Sequence, residues 1–150
     1  MADVRRYPSS RRMPWFNRGA LERSLAAAGV GYEHVEELGG RRSPLPDSPN
    51  GGWRVGQFRG YADHMSTPEF ERGLARLLAL ADERRTAVLC AEARWTSCHR
   101  RLLADALLAR GHDVLHIDSR GALKRHDLTE FARIADGHVT YPPGQQSLAL

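Results

Sequence analysis

The sequence predicts an α/β fold with three layers, in which a mostly parallel sheet is flanked by helices. Two short apolar segments with strand character, residues 86–90 and 113–117, alternate with stretches whose apolar residues recur at helical spacing. Helices that alternate with buried strands are typical of parallel sheets with both faces covered. Ligands of such sheets bind at the carboxyl ends of the strands, so a site is expected from Cys90 onward.

Two helices around the first apolar strand are predicted from the residues at their ends. Thr67 suits an N-cap and Pro68 suits the first helical position, and apolar residues at helical spacing follow them. We expect the next helix to open at Thr96 or Ser97 and to stop at Gly111, because glycine tolerates the backbone conformation that ends a helix.

Shorter elements complete the predicted order. Residues 20–28 are expected to form a short helix and residues 30–35 a strand. Asp127 and Glu130 have the spacing of a capping box, which predicts a further helix after the second apolar strand. Residues 138–141 are expected to form a last strand.

The longest irregular segment, residues 39–60, is rich in glycine and proline. Loops of this length in a compact domain are usually functional or disordered. Trp53 and Phe58 lie within the segment, and disordered segments contain few aromatic residues. We therefore expect an ordered loop that is docked on the core.

Length and composition indicate one domain and permit an anionic partner. The 150 residues fit a single domain over 1–150, with an ordered core over 1–141 and a frayed tail over 142–150. The formal net charge is +4, and Lys124 is the only lysine among the cationic residues. Guanidinium groups bind phosphate and carboxylate bidentately, so the partner could be an anionic small molecule or nucleic acid.

The sequence also disfavours several classes of protein. No apolar run approaches the ~20 residues of a membrane span, so no membrane partner is expected. The basic N-terminus lacks the apolar stretch of a signal peptide, which predicts a cytoplasmic protein. A structural disulfide between Cys90 and Cys98 is not expected in that compartment. Neither a Walker-type phosphate loop nor a dinucleotide fingerprint is present, so no cofactor is predicted.

The segment from Cys90 to Arg100 joins the first apolar strand to the following helix. Cys90 is expected at the carboxyl end of the strand, and Cys98, His99 and Arg100 are expected in the first turn of the helix. Unpaired N–H groups and the helix dipole favour anions there, including a thiolate. Cys98 therefore has a physical reason to be activated, and a phosphate has a physical reason to bind beside it.

Four interpretations of this segment are open. One cysteine is a nucleophilic or redox thiol, and His99 or Glu92 moves protons. Alternatively, the turn binds an anion and the cysteines are inert. A third interpretation is a zinc site of Cys90, Cys98 and His99, but neighbouring residues are awkward ligands and our prediction is that no metal binds. In the fourth, both cysteines are buried core residues.

Residues near the N-terminus are candidate neighbours of Cys90. Asp3 and Arg5 are expected at the end of a strand, and they converge on Cys90 if that strand lies beside residues 86–90. Asp3 would then act as an acid, a base or an orienting group, and Arg5 would hold an anion. Solvent-exposed basic residues at a chain terminus are the competing interpretation.

Three further residues are possible pocket residues. Tyr61 and Asp63 precede the helix that begins near Thr67, where they either transfer protons or form a structural turn. His116 ends the second apolar strand, at the rim where ligands bind in this architecture, and is either a ligand contact or a buried histidine.

A set of short motifs runs through most of the chain. In order, they are Asp3-Val4-Arg5-Arg6-Tyr7-Pro8, Ser10-Arg11-Arg12, Phe16-Asn17, Tyr32, Leu38-Gly39-Gly40-Arg41, Phe58-Arg59-Gly60-Tyr61-Ala62-Asp63-His64-Met65, Phe70, Cys90-Ala91-Glu92 and Cys98-His99-Arg100. Together they resemble the DUF488 family, small bacterial and archaeal proteins without an assigned function. The resemblance implies an α/β fold and supplies no activity.

The resemblance also implies elements ahead of Asp3. Members of the family begin with a strand that carries a Thr-Ile-Gly-His-Ser-like motif and a helix, whereas Met1 falls almost directly on Asp3 here. We therefore expect that strand and helix to be missing, through a misassigned start or in a shortened member. The sheet edge left unpaired would accept a partner chain, so a homo-oligomer is a possible state.

The leading hypothesis is an enzyme that binds an anionic, phosphorylated or nucleotide-like substrate at a cysteine-centred site. Cys90 or Cys98 would be the nucleophile, and Glu92 or His99 would move the proton. The residues expected to hold the anion are Arg5, Arg41 and Arg100.

The alternative hypothesis is a non-catalytic nucleic-acid-binding module with structural cysteines. Arginine-rich loops would contact phosphates and nearby aromatic rings would stack on bases. The residues involved would be Arg11, Arg12, Arg41, Arg42, Tyr7, Trp15 and Trp53.

Overall fold

The computed structural model describes residues 1–144 and shows an α/β protein. In chain order, its helices and strands are β1 (Ala2–Asp3), α1 (Arg18–Ala27), β2 (Glu33–His34), α2 (Gly56–His64), α3 (Pro68–Glu83), β3 (Val88–Leu89), α4 (Arg100–Ala109), β4 (Leu115–Ile117), β5 (Leu123–Arg125), β6 (Arg133–Ala135) and β7 (His138–Thr140). The α/β class is confirmed, and the three-layer arrangement stays a prediction. No helix within residues 1–144 is long and apolar enough to cross a membrane.

The chain divides into two compact units. Unit 1 consists of Met1–Gly40 and Pro68–Ala91, and unit 2 consists of Arg41–Thr67 and the chain from Glu92 onward. The organisation as one domain over 1–150 stays a prediction. Most of the expected tail, residues 145–150, lies outside the described residues.

Unit 1 contains the parallel sheet that the sequence predicts. The strand order is β2-β1-β3, with Asp3 paired to His34 on one side and to Leu89 on the other. Helix α3 begins at Pro68, as predicted, and buries Phe70, Leu74 and Leu77. Burial of each such side chain stabilises the folded state by about 1.5–3 kcal/mol. The first strand thus lies beside β3, which is the condition that the sequence analysis set for Asp3 and Arg5 to lie near the end of residues 86–90.

Unit 2 contains helices α2 and α4 and two antiparallel hairpins. The prediction that residues 113–117 continue the parallel sheet is wrong, because β4 pairs with β5 in an antiparallel hairpin. Asp118 causes the reversal: its Oδ1 accepts backbone N–H groups from Arg120 at 2.8 Å and Ala122 at 2.9 Å. A turn this tight leaves no room for the crossover helix that a parallel neighbour requires.

The predicted helix after Asp127 is also wrong, since β6 and β7 form a second hairpin there. Asp136 and Gly137 connect these strands with φ values of 51° and 76°, the backbone of a two-residue hairpin turn. The Asp-Gly signal therefore prevails over the capping-box spacing of Asp127 and Glu130. The expected last strand is confirmed as β7 (His138–Thr140).

The long segment before α2 is ordered and docked within unit 2, as predicted. The Trp53 ring is buried against Phe58, Phe131 and Tyr141, with ring centroids 5.1, 4.9 and 5.4 Å away. Helix α2 begins at Gly56, so the irregular segment ends earlier than residue 60. Aromatic packing of this kind contributes about 0.5–1.5 kcal/mol per pair beyond buried area.

Candidate functional site

Cys98 lies two residues before α4 and His99 is the N-cap, so the prediction that both lie in the first turn of the helix is wrong, while Arg100 is its first residue. A 3-10 turn at Trp95–Ser97 ends when the N–H of Cys98 donates to the carbonyl of Trp95 at 3.2 Å. Cys98 is then extended, with φ −131° and ψ 149°, and His99 is the N-cap residue. This change of backbone direction turns the Cys98 side chain back toward the start of the helix that follows it.

The sulfur of Cys98 receives two N–H donors from Arg100. The backbone nitrogen of Arg100 lies 3.4 Å from Sγ, and its guanidinium Nε lies 3.3 Å from Sγ. A second guanidinium nitrogen donates to the carbonyl of Glu92, which fixes the plane of the group. The Cys98 side chain is only 1% exposed, so these contacts are shielded from water. A positive group held on a buried sulfur favours the thiolate.

The His99 ring adjoins the same sulfur. Its Nδ1 lies 3.8 Å from Sγ of Cys98, and the ring is packed against Tyr61 of α2 with centroids 4.8 Å apart. Both His99 and Tyr61 are buried. Tyr61 is thus a neighbour of His99 through its ring, and its role as a pocket residue stays a prediction.

Three side chains in unit 2 could also supply metal ligands. A carboxylate oxygen of Glu92, Sγ of Cys98 and a ring nitrogen of His99 all lie within 4.8 Å of one another. Cysteine, histidine and carboxylate are all ligands that zinc accepts. However, the Arg100 guanidinium occupies the same sulfur, and its positive charge opposes a divalent cation there. The arrangement therefore suits a thiolate and an anion better than a metal ion.

Cys90, Asp3 and Arg5 belong to unit 1. Cys90 follows β3 directly and is partly exposed. Asp3 and Arg5 form a bidentate pair, with Nε to Oδ1 at 2.9 Å and a terminal nitrogen to Oδ2 at 2.6 Å. The remaining guanidinium nitrogen donates to the carbonyl of Phe16 at 2.8 Å. The charge of Arg5 is thus offset inside unit 1 by Asp3.

Tyr32 completes this buried cluster. Its hydroxyl donates to Oδ2 of Asp3 at 2.7 Å. Burial alone would raise the pKa of Asp3, but the hydrogen bonds from Arg5 and Tyr32 outweigh it and hold that pKa below its usual value. Burial and the neighbouring carboxylate raise the pKa of Tyr32 to about 12.

Asp63 organises the loop before α2. Its carboxylate accepts hydrogen bonds from the backbone of Leu45 at 2.9 Å, the hydroxyl of Ser48 at 2.6 Å and the amide of Asn50 at 2.8 Å. These contacts support the structural interpretation of Asp63 over proton transfer. Arg41 lies on the exposed start of the same loop, with φ 58°.

His116 is buried within unit 2 by an aromatic neighbour. Its ring stacks on that of Trp95, with centroids 3.8 Å apart and planes inclined by 1°. Its Nε2 lies 2.8 Å from Nδ1 of His126. Burial, with positive charge nearby, lowers the pKa of His116 to about 4, so the ring is neutral at neutral pH.

The sequence did not predict the buried contacts of Asp105, His126, Tyr141 and Tyr32. Asp105 had a usable signal, because it is a carboxylate in the middle of the apolar face of α4, where a charge needs partners. The partners come from distant parts of the chain, and no spacing rule connects them. Tyr32 and Asp3 likewise meet only because β2 lies beside β1.

The fold and the site define a small α/β protein with a buried cysteine held by cationic and backbone donors. The chain belongs to the family described as Domain of unknown function DUF488, whose model matches residues 1–107. This match confirms the resemblance stated above. No curated protein and no solved structure matches the chain. Residues from 108 onward, among them His116 and His126, lie beyond the matched segment.

Proposed function

We propose that this protein is an enzyme that binds an anionic, phosphorylated or nucleotide-like substrate and attacks it with the thiolate of Cys98. The observation that carries the proposal is the pair of Arg100 donors on Sγ, one of them charged. A thiolate is the nucleophilic form of cysteine, and hydrogen bonds to sulfur favour it. Cys90 is the other candidate nucleophile, but Cys98 is the one whose activation the contacts explain.

Arg100 serves both the sulfur and the anion in this proposal. Its side chain leaves α4 at the first residue of the helix, where the positive end of the helix dipole also favours negative charge. A phosphate bound there would share the guanidinium with Sγ, which brings the electrophilic atom of the substrate to the nucleophile. Arg41 is a further candidate for the anion, from the loop of unit 2.

The chemical step requires one proton. Sγ of Cys98 forms a bond to the electrophilic atom of the substrate as the bond to the leaving group breaks. The leaving group takes the bonding electrons and a proton from His99, whose Nδ1 lies beside Sγ. Glu92 is the second candidate for this proton, since its carboxylate lies within 4.8 Å of the same atoms. We place the enzyme in the cytoplasm, where thiols stay reduced.

Phosphate binding and covalent trapping test this function. Inorganic phosphate should bind the wild-type protein in calorimetry, and Arg100→Gln should weaken binding about tenfold or more, because a hydrogen bond to a charged group contributes ~1.5–3 kcal/mol. Arg101→Gln is the matched control. It removes the same charge one residue along, where the guanidinium donates to Thr129 and lies over the Trp53 ring.

Turnover is tested with a panel of phosphorylated compounds and mass spectrometry of the stopped reaction. The proposal expects an adduct on Cys98 and loss of turnover in Cys98→Ser with phosphate binding retained. An adduct on Cys90 would move the nucleophile to unit 1. Equal phosphate affinities of Arg100→Gln and Arg101→Gln, or no adduct on either cysteine, would contradict the proposal.

A second candidate function, nucleic-acid binding, is favoured by exposed aromatic rings in unit 1. Tyr7 and Trp15 are each 60% exposed, close in sequence to Arg11 and Arg12. Exposed rings can stack on bases while arginines contact phosphates. Trp53 does not belong to this surface, because its ring is buried in the aromatic cluster of unit 2.

Fluorescence anisotropy of a labelled single-stranded oligonucleotide separates the two functions. A nucleic-acid-binding module should lose affinity steeply as salt rises and should lose it further in the double variant Arg11→Ala with Arg12→Ala. Trp15→Ala should weaken binding by about 1–3 kcal/mol if a base stacks there. Absence of salt-dependent binding would eliminate this candidate.

A further inference from the structure

A chain of buried hydrogen bonds in unit 2 connects α4 to β4. Oδ1 of Asp105 accepts from Nε2 of His126 at 2.8 Å, and Nδ1 of His126 lies 2.8 Å from Nε2 of His116. Asp105 also accepts the backbone N–H of Thr129 at 3.0 Å and the hydroxyl of Tyr141 at 2.8 Å. The thiolate mechanism proposed above uses none of these contacts.

The carboxylate of Asp105 sets the direction of the hydrogen bonds along this chain. An ionised carboxylate only accepts, so Nε2 of His126 carries the hydrogen of that bond. Tyr141 and Thr129 also donate to Asp105, so a neutral His126 is sufficient to complete the hydrogen bonds of this carboxylate. A neutral His126 has its lone pair at Nδ1, and His116 must then donate from Nε2. The lone pair of His116 is consequently at Nδ1.

Trp95 links His116 to the cysteine site. Its ring stacks on His116, and its carbonyl oxygen accepts the backbone N–H of Cys98 at 3.2 Å. Trp95 therefore contacts His116 through its ring and Cys98 through its backbone carbonyl. Among residues 1–144, the hydrogen bonds of the His116 ring involve Nε2 and not Nδ1, so Nδ1 is available to another molecule.

We propose that His116 is the general base of this site, that it accepts a proton at Nδ1, and that Asp105 and His126 are positioning residues that hold it in the required tautomer. An imidazole held by a second residue that is itself held by a buried carboxylate is the arrangement by which proteins fix the protonated nitrogen of a catalytic histidine.

This role rests on the proposed function, because it completes the reaction of Cys98. A water oxygen bonds to the atom that Sγ holds, the bond to Sγ breaks, and its electrons return to sulfur as the thiolate. One proton of the water moves to Nδ1 of His116. The resulting imidazolium donates from Nε2 to His126, and Nε2 of His126 still donates to Asp105, which offsets the new positive charge.

Substrate binding should make this base stronger. Arg100 and Lys124 oppose a proton on His116, Asp105 favours one, and His126 opposes it only when His126 itself carries the charge. An anion bound at Arg100 offsets one of the opposing charges, so His116 becomes more basic when the site is occupied. When no anion is bound, His116 is then a weaker base and takes up fewer protons from solvent between turnovers.

Nitrogen-15 NMR of histidine-labelled full-length protein tests the proposal with inorganic phosphate as the probe. At neutral pH, His116 should show a protonated Nε2 and an unprotonated Nδ1. Phosphate should raise the pKa of His116 by about one pH unit, the lower end of the effect of a nearby opposite charge. In Arg100→Gln, which lacks the charge that phosphate offsets, the rise should be much smaller.

Two variants of His126 separate positioning from packing. Asn and Leu have nearly the same shape, and both lose the contact with Asp105, but only the amide oxygen can accept the N–H of His116. His126→Asn should therefore retain the His116 tautomer, and His126→Leu should give a mixture of both tautomers. Circular dichroism shows whether both variants fold. If one of them does not fold, the tautomer of His116 in the wild-type protein is the measurement that tests the proposal.

The proposal would be overturned by a protonated Nδ1 of His116 in the wild-type protein or by an unchanged His116 tautomer in His126→Leu. It would also be overturned if phosphate binds and the pKa of His116 does not change. Failure of the proposed function is recognised separately. In that case the cysteine sulfur titrates as an ordinary thiol and phosphate does not bind, whatever the tautomer of His116.

Discussion

Gly60 should be the least replaceable glycine of α2, because the loop backbone packs directly against it. A Cβ at Gly60 would lie 2.6 Å from the carbonyl carbons of Arg42 and Ser43, and closer still to the oxygen of Arg42. Ordinary contacts of a Cβ atom begin at 3.4 Å. Backbone atoms cannot move aside by changing a rotamer, so Gly60→Ala must displace the loop by nearly an ångström.

The expected cost follows from two opposing effects. Overpacking of this kind destabilises a protein by about 1–3 kcal/mol, and the upper end applies because the obstacle is backbone. Alanine in a helix interior recovers up to ~1 kcal/mol relative to glycine. We expect a net loss of about 2 kcal/mol, which lowers the melting temperature of a chain of this length by roughly 4–8 °C.

Gly56→Ala is the matched control, since Gly56 begins the same helix and a Cβ there would meet nothing within 4 Å. Its unfolding free energy in urea should stay within about 0.5 kcal/mol of the wild-type value. Equal stability of Gly60→Ala and Gly56→Ala would refute the packing of α2 against residues 42–43. Gly60→Ala should also bind phosphate more weakly than Gly56→Ala, because Tyr61 follows Gly60 and contacts His99.

Three more predictions concern buried polar groups. Asp63→Ala should lower the free energy of unfolding in urea by about 2–4 kcal/mol, because the loop donors lose their acceptor. A smaller decrease than that caused by Asp47→Ala, a change at an exposed residue, would be inconsistent with this role. The pKa of Asp3 is lowered in the folded protein, so ionised Asp3 stabilises the fold above pH ~4, and this stabilisation is lost as pH falls through the folded pKa. Asp3→Asn should therefore reduce the acid-sensitive part of the free energy of unfolding. Burial lowers the pKa of folded His116 from 6.5 to about 4, so the free energy of unfolding should decrease as pH falls from 6.5 to 4, and His116→Asn should reduce this decrease.

The sequence predicted the parallel part of the fold because the relevant signals are local. Pro68 begins α3 as expected, and a strand forms at Val88–Leu89, within the apolar residues 86–90. The hairpins of unit 2 were missed because two kinds of local signal conflict there. Asp118 and the Asp136–Gly137 pair reverse the chain at once, and such turns prevail over spacing patterns that suggest helices and crossovers.

The segment of the candidate site could be chosen from the sequence, but its geometry could not. The segment containing Cys98, His99 and Arg100 could be recognised from residue types alone. The direction of the Arg100 side chain onto sulfur depends on the 3-10 turn at Trp95–Ser97, which no spacing rule predicts. Asp105 and His126 meet across 21 residues of sequence, so only the folded chain shows that they form one network.

Whether Arg100 holds Cys98 as a thiolate is best tested by a pH titration of the Cys98 Cβ signal in carbon-13 NMR. This signal reports on the buried sulfur without a reagent that would have to reach it. We expect a pKa for Cys98 at least one unit below the ordinary value of ~8.5, and a return toward that value in Arg100→Gln but not in Arg101→Gln. An ordinary or raised pKa in the wild-type protein, unchanged in Arg100→Gln, would show that Arg100 does not hold the thiolate.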